Sequence, residues 1–362
     1  MEINGYVMEG DFSSENAGCS LWGFCRKYEH SFFIKRFTEV TYPISDKISA
    51  SILEKKRAKC EKYYNRKKQF YNLLSQCRSG NIIVVHDFFR HGSYYYAVSD
   101  RVVGENLPVK KIVTLSNEKK ILLFKSILYS FAIIHSKKII HSDIKPENIL
   151  VVPTIDGYCT GKIIDFDLGF SMDCIPKEIG GDFLYYSPEI MSYSKGNSAF
   201  ISTASDVFSL GLLFHLYCCG ELPRMPPEYK YACECINDGK KLTLDSSIPK
   251  NIQNILKNML IKDPKKRLSA LDALLAFKGM DSDVTDTIKF TSSSISCDDF
   301  SIDDSVPSSE HEEGGRTPSK LKIRMKSSGK RVTPGSADRS ADKGKTNKSS
   351  TYRDFHRPTD FD

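Results

Sequence analysis

Two kinds of hydrophobic pattern divide the first 278 residues, and their order restricts the fold more than any other feature. The first hundred residues contain short β-branched and aromatic runs: WGFCRK (22–27), SFFIKRF (31–37), NIIVVHDFF (81–89) and YYYAVSD (94–100). Such runs suit strands. One charged segment interrupts them, SASILEKKRAKCEKYYNRKKQFYNLLSQ (49–76). Its Ile52, Leu53, Cys60, Tyr64, Phe70 and Leu74 share roughly one helical face. From residue 115 helical spacing takes over. SNEKKILLFKSILYSFAIIH (116–135) opens on a capping serine, Ser116, and carries an apolar stripe. DVFSLGLLFHLYCC (206–219) is apolar all round, which predicts a buried helix, while 249–261 and 269–277 are amphipathic. A strand-rich lobe followed by a helical lobe predicts an α+β chain with a cleft between them.

Beyond residue 278 the pattern stops. Runs such as TSSSISCDDFSIDDSVPSSEHEEGG and SSGKRVTPGSADRSADKGKTNKSS hold too few apolar side chains to offset their ordering entropy. A folded part over 1–278 and a disordered tail over 279–362 are expected. The net charge of +7 hides two blocks: ten acidic groups and one lysine in 279–313, then thirteen Lys or Arg and five acidic groups in 314–362. The basic block has no aromatic residue among its Lys and Arg before Tyr352, so a solvated tail is expected and a nucleic-acid partner is not. No apolar run is long enough to span a bilayer, and MEINGYVMEGDF lacks the basic-then-apolar order of a signal peptide. The eleven cysteines are scattered without paired C-x-x-C sets, which suits reduced thiols. The expectation is an intracellular, cytoplasmic protein with no membrane partner.

The densest chemistry lies in HSDIKPENIL (141–150), where Asp143, Lys145 and Asn148 fall within six positions before an apolar, strand-like run. A second carboxylate, Asp165, follows another short apolar run in KIIDFDLGF, seventeen residues after Asn148. Two strands joined through TIDGYCTG would form a hairpin and bring Asn148 near Asp165. Oxygen ligands beside a lysine and a further carboxylate suit Mg²⁺ with phosphate groups.

These stretches resemble the protein-kinase family, whose catalytic loop reads H-R-D-x-x-x-x-N and whose metal loop reads D-F-G. Here they stand as His141-Ser142-Asp143 with Asn148, and Asp165-Phe166-Asp167. The family's A-P-E appears as Ser187-Pro188-Glu189, preceded by Gly181 and Tyr185. SDVFSLGLL resembles the family's buried D-x-W-S-x-G helix with Asp206 as its aspartate, and DPKKRLSALDAL would supply Arg267 as the partner of Glu189. The resemblance covers residues 3–278 and is strongest over 135–278. It implies a two-lobed kinase-like fold, with an N-lobe over 1–102 and a C-lobe over 103–278. It also implies ATP and Mg²⁺ as cofactors and proteins as substrates. Asp143 would orient the acceptor hydroxyl and take its proton, Lys145 would neutralise charge on the transferred group, and Asn148 and Asp165 would hold metal. His141 and Phe166 would be structural. Lys35, in FFIKRF, resembles the phosphate-binding lysine of V-A-I-K and should pair with a helix glutamate; Glu61 is favoured, with Glu54 and Gln69 as other positions. Asp100 and Val102, in the stretch Ser99–Val102, resemble the hinge that meets adenine. A lysine two residues after the catalytic aspartate implies Ser/Thr acceptors.

The pattern also departs from the family. The candidate glycine-rich loop, SSENAGCSLW (13–22), keeps Gly18 alone. Ser142 replaces the arginine that meets a phosphorylated loop, so loop phosphorylation should not be the on-switch. Asp167 replaces the glycine of D-F-G, which costs backbone freedom. Asp182 replaces the usual threonine. In the tail, Thr317 and Thr333 precede proline and would suit phosphothreonine-binding FHA-type partners. Two alternatives accompany the active kinase: a pseudokinase scaffold that binds nucleotide or partners, and a small-molecule phosphotransferase of the same fold.

Overall fold

The structure, a computed structural model, describes residues 1–281 apart from 16–19, 45–48 and 78. Gly18 and tail residues 282–362 lie outside the described residues. The strand-forming runs build one antiparallel sheet from β1 (Glu2–Ile3), β2 (Tyr6–Met8), β3 (Ser20–Lys27), β4 (His30–Phe37), β5 (Val85–His91) and β6 (Tyr94–Asp100). Its strand order is β1-β2-β3-β4-β6-β5. The long helix α1 (Ala50–Leu74) lies between β4 and β5 in sequence.

Alternation along the strands decides which side chain meets which layer. On one face Ile34, Cys25, Tyr96 and Val98 are buried with Tyr6, Met8 and Phe89. Phe37, Phe88, Tyr95 and Ala97 belong instead to the core that takes in Cys60, Tyr71 and Leu74 of α1. Lys35 lies two residues before Phe37 on β4, so it shares that α1-facing side. In register it stands between Trp22 and Ala97.

Burial on α1 is confined to Cys60, Phe70, Tyr71 and Leu74; Ile52, expected on the buried face, is 49% exposed. Aromatic contacts fix the C-terminal half. Tyr64 and Tyr71 lie 5.4 and 5.2 Å from Phe88, and Tyr63 lies 5.3 Å from Tyr95, between ring centroids. The expected strand over 81–89 divides. Its second half is β5, while residues 81–83 pair with the chain near Ile163: Ile83 N–H donates to the Ile163 carbonyl (2.9 Å) and Ile163 N–H to that of Asn81 (2.7 Å). This ties the sheet's approach to the segment that carries Asp165.

After β6 come α2 (Val109–Val113), α3 (Asn117–Ser136), β7 (Ile139–Ile140), β8 (Ile149–Pro153), β9 (Cys159–Ile163), β10 (Phe170–Ser171), α4 (Pro188–Ser194), α5 (Ala204–Cys219), α6 (Ala232–Asn237), α7 (Lys250–Met259) and α8 (Ala270–Lys278). Ser116 caps α3 by accepting from Lys119 N–H (3.3 Å). The run apolar all round becomes α5, buried without a break from Ser205 to His215. Phe124 of α3 stacks on Phe214 of α5 at 4.2 Å, with Phe277 of α8 against both. The two apolar runs flanking TIDGYCTG pair as the β8–β9 hairpin, from Ile149 opposite Ile163 to Pro153 opposite Cys159. Among the described residues no helix is long and apolar enough to cross a membrane.

Candidate active site

The loop between β7 and β8 is held from below by α5. The Asp206 carboxylate accepts from His141 N–H (2.9 Å), Ser142 N–H (3.0 Å) and His135 Nε2 (3.0 Å). His141 is fully buried. Its Nε2 donates to the Ile164 carbonyl (2.9 Å), leaving Nδ1 to accept from Asp143 N–H (3.3 Å). Ser142 adopts φ +68°, and its hydroxyl donates to the Gly180 carbonyl at 2.9 Å. Gly181 follows at φ +146°, where a Cβ would stand 2.6 Å from the Ser142 carbonyl oxygen. Only glycine permits that approach.

Asp143 is thereby placed as a nearly buried carboxylate, 7% exposed, ringed by hydrogen-bond donors. Its Oδ2 accepts from Lys145 Nζ and from Asn148 Nδ2, each at 2.8 Å. Its Oδ1 accepts from the main-chain N–H of Asp182 at 3.2 Å. Burial works against the Lys145 ammonium, but Asp143 outweighs it and raises the pKa above the ordinary lysine value. Asn148 also donates to the Asp143 carbonyl (2.7 Å), so both amide protons are spent on one residue.

A backbone bond from Ile164 N–H to the Asn148 carbonyl (3.0 Å) brings the metal-loop segment alongside. Asp165 sits at φ +58°, a region asparagine and aspartate tolerate better than most residues. Phe166 is buried with its ring 4.6 Å from that of His141. Both Asp165 oxygens accept from Lys35 Nζ at 3.0 Å, and Asp167 Oδ2 lies 2.5 Å from the same nitrogen. Burial opposes the Lys35 charge, yet Asp167 and Asp165 together hold its pKa above the ordinary value. For Asp165, burial and then Asp167 raise the pKa, with Lys35 opposing. For Asp167, burial is outweighed by Lys35 and Lys67, and its pKa falls.

The helix glutamate expected beside Lys35 is absent from this cluster. Glu61 is exposed on α1, and the carboxylates bound to Lys35 come from the metal loop. The α1 residues that reach the site are Lys67, donating to the Asp167 carbonyl (2.5 Å), and Tyr71, donating to Asp167 Oδ1 (3.1 Å). Glu61 lies six residues before Lys67, about 120° away around the helix, and so faces elsewhere. An extra carboxylate two residues after Asp165 was the available sequence signal. Nothing in the sequence tied it to Lys35.

In the stretch expected to be the hinge, Asp100 ends β6 opposite Phe32, and Val102 is half-buried two residues on. The following segment is fixed to β8, with Leu107 N–H donating to the Val151 carbonyl and Asn106 accepting from Val151 N–H, both at 2.8 Å. Ser13 and Trp22, on either side of the glycine-poor stretch, pair through backbone bonds of 2.7 and 2.9 Å. Gly18 within it lies outside the described residues. Farther down, Arg267 grips Glu189 with two bonds of 2.6 and 3.0 Å, both side chains buried.

The oxygen donors fit a hard divalent cation. Asn148, with its NH₂ committed to Asp143, keeps its amide oxygen, and Asp165 supplies a carboxylate. Among the described residues no cluster of three or more His, Cys, Asp or Glu forms a metal cage. A cation here would therefore draw on phosphate oxygens as well, the usual habit of Mg²⁺.

Comparison with known proteins points to one family. The protein kinase domain model matches residues 43–276. The chain is 28% identical over 257 residues to dual specificity protein kinase TTK of Mus musculus, covering 64% of this chain and 29% of that protein. It is 30% identical over 215 residues to probable serine/threonine-protein kinase fhkC of Dictyostelium discoideum, covering 56% and 35%. It is 30% identical over 158 residues to calcium-dependent protein kinase 29 of Arabidopsis thaliana, covering 42% and 28%. The chain thus spans about a third of the length of these relatives. The domain match begins after β4, so the place of Lys35 rests on the structure. With residues 43–276 of 362 matched around these two loops, the chain belongs to the protein kinase family.

Proposed function

We propose that the protein transfers the γ-phosphoryl group of ATP to serine or threonine hydroxyls of protein substrates. The Asp143 cluster carries this reading: a buried carboxylate held by Lys145, Asn148 and the Asp182 N–H. So positioned, Asp143 orients an acceptor hydroxyl and takes its proton. Lys145, 2.8 Å away, offsets charge on the group in flight. Lys35 binds the ATP phosphates, and Asp100 and Val102 meet the base through their backbone. Asn148 and Asp165 would hold Mg²⁺, which would supply charge neutralisation for the phosphoryl group in flight. Little covalent help is needed, since positioning and charge stabilisation dominate this chemistry.

The choice of Ser/Thr over Tyr rests on Lys145, two residues after Asp143. One relative is named a dual specificity kinase and another a probable serine/threonine kinase, so tyrosine transfer is an outcome the same assay reads. In the tail, Thr317 and Thr333 are proposed acceptors whose phosphates would suit FHA-type partners.

The second reading is a scaffold that holds nucleotide without transfer. One observation favours it: the Lys35 ammonium is already engaged by Asp165 and Asp167. Incubation with γ-labelled ATP and Mg²⁺, beside Asp143→Ala, separates the two. Label on Ser or Thr that falls by about 100-fold or more in the variant is expected, the usual scale of general-base loss. Label on Tyr alone would overturn the acceptor assignment. Binding of ATP without any label would establish the scaffold.

A further inference from the structure

The site holds one carboxylate more than phosphoryl transfer requires. Asp167 stands where the family's metal loop ends in glycine, and it joins more partners than Asp165. Its Oδ2 lies 2.5 Å from Lys35 Nζ, against 3.0 Å for Asp165. Its Oδ1 accepts from Tyr71 OH (3.1 Å), and its main-chain oxygen accepts from Lys67 Nζ (2.5 Å). Lys67 and Tyr71 are four residues apart, one turn of α1, and so address the loop from the same face. The acidic residues of α1, Glu54 and Glu61, are exposed.

We infer that Asp167 is the positioning residue for Lys35, supplying from the metal loop the carboxylate that α1 does not supply, while Lys67 and Tyr71 fasten α1 to it. The charges explain why the two changes belong together. Lys35 pairs with Asp165 and Asp167, and Lys67 reaches the Asp167 main-chain oxygen, so two cations and two anions share one partly buried cluster. Buried charges persist only when paired. A glutamate at position 67 with Asp167 retained would set three carboxylates around one ammonium. A glycine at 167 with Lys67 retained would leave two cations to share Asp165. Asp165 also has a second duty, since it is a metal ligand in the proposed reaction. Asp167 keeps Lys35 anchored when Asp165 turns to that duty.

This inference deepens the proposed function and rests on it for the role of Lys35, but its test reads nucleotide binding alone. The full-length protein and three variants, Asp167→Gly, Lys67→Glu and the double variant, are titrated with a fluorescent ATP analogue in Mg²⁺. Each single change is expected to weaken binding by about tenfold or more, a modest share of what breaking a buried pair can cost. The double variant restores one carboxylate opposite Lys35 and is expected to bind within about threefold of the unaltered protein, as a strongly coupled pair should. A purely structural role for Asp167 predicts no such rescue. Undiminished binding by Asp167→Gly, or a double variant no tighter than Asp167→Gly, overturns the inference. Should the glycine variant fail to fold, Asp167→Asn keeps the shape and removes the charge; unaltered affinity in that variant overturns the inference equally. Rescue of binding in a protein that transfers no phosphate sustains it and removes the catalytic reading instead.

Discussion

At the residue scale the most consequential pair outside the cleft is Arg267 with Glu189. The guanidinium also donates to the carbonyls of Ile261, Ala204 and Lys262, and Ser205 donates to Glu189 Oε1. The arginine therefore joins the start of α4, the start of α5 and the turn after α7 at one point. Arg267→Ala would leave Glu189 buried and uncompensated, so it should lower stability by about 3–5 kcal/mol. Urea denaturation checks this; a loss below about 1 kcal/mol would mean that the pair behaves like a surface ion pair. Glu189 and Arg267 were legible in the sequence because each sits in a motif whose partner is fixed by the fold. The partner of Lys35 was not. Choosing Glu61 required a glutamate on the face that α1 buries, but the apolar residues of that face put Lys67 there and Glu61 about 120° away. The three-dimensional answer, Asp167, lies 132 positions from Lys35 in a loop whose path only the assembled site defines.

At the element scale the segment 165–189 is held without a phosphate. Phe170 of β10 pairs with Ile140 of β7, Ser142 bonds Gly180, and Asp182 N–H bonds Asp143. Its hydroxyl side chains are Ser171, Tyr185, Tyr186 and Ser187. Tyr185, Tyr186 and Ser187 are buried; Tyr186 OH donates to the Ile179 carbonyl (2.9 Å), and Ser187 caps α4. Ser171 lies in β10, where its oxygen accepts from Asp173 N–H. A loop phosphate acts by drawing arginines into new bonds, and Ser142 stands where such an arginine would be. Phosphatase-treated protein and Ser171→Ala should therefore transfer phosphate at the rate of untreated protein. A drop of about tenfold or more after phosphatase, restored by a phosphate donor, would refute this and assign the switch to this segment. The hairpin and the buried α5 could be read in the sequence because their apolar periods are unambiguous. The ties across the segment could not, since they use backbone groups of Gly180 and Asp182 whose side chains carry no signal.

At the scale of the whole molecule, the order of strands before helices is what the sequence announced most clearly. It follows from period alone and needs no long-range contact. What period cannot supply is the fastening of one region to another, and the helical region shows how such a fastening responds to pH. His215, buried on α5, donates from Nδ1 to the Glu221 carbonyl (2.8 Å) and accepts at Nε2 from Asp245 N–H (3.0 Å). Both ring nitrogens are thus committed to the neutral form, joining α5 to two later segments. Burial lowers the His215 pKa below the ordinary 6.5, with Arg224 adding to the effect and Glu221 and Asp245 opposing it. A depressed histidine pKa means that the unfolded chain takes up its proton first. Its contribution is complete above about pH 6.5 and declines as pH falls through the folded value. Asp245, held below its ordinary 3.8 by bonds to Ser247, responds in a separate and more acidic window. The thermal midpoint should therefore fall between about pH 7.5 and pH 5.5, a range that brackets the ordinary histidine pKa. His215→Gln should start lower at the upper pH and fall less across the range. A parallel decline in the variant would show that other groups, not this ring, set the pH dependence.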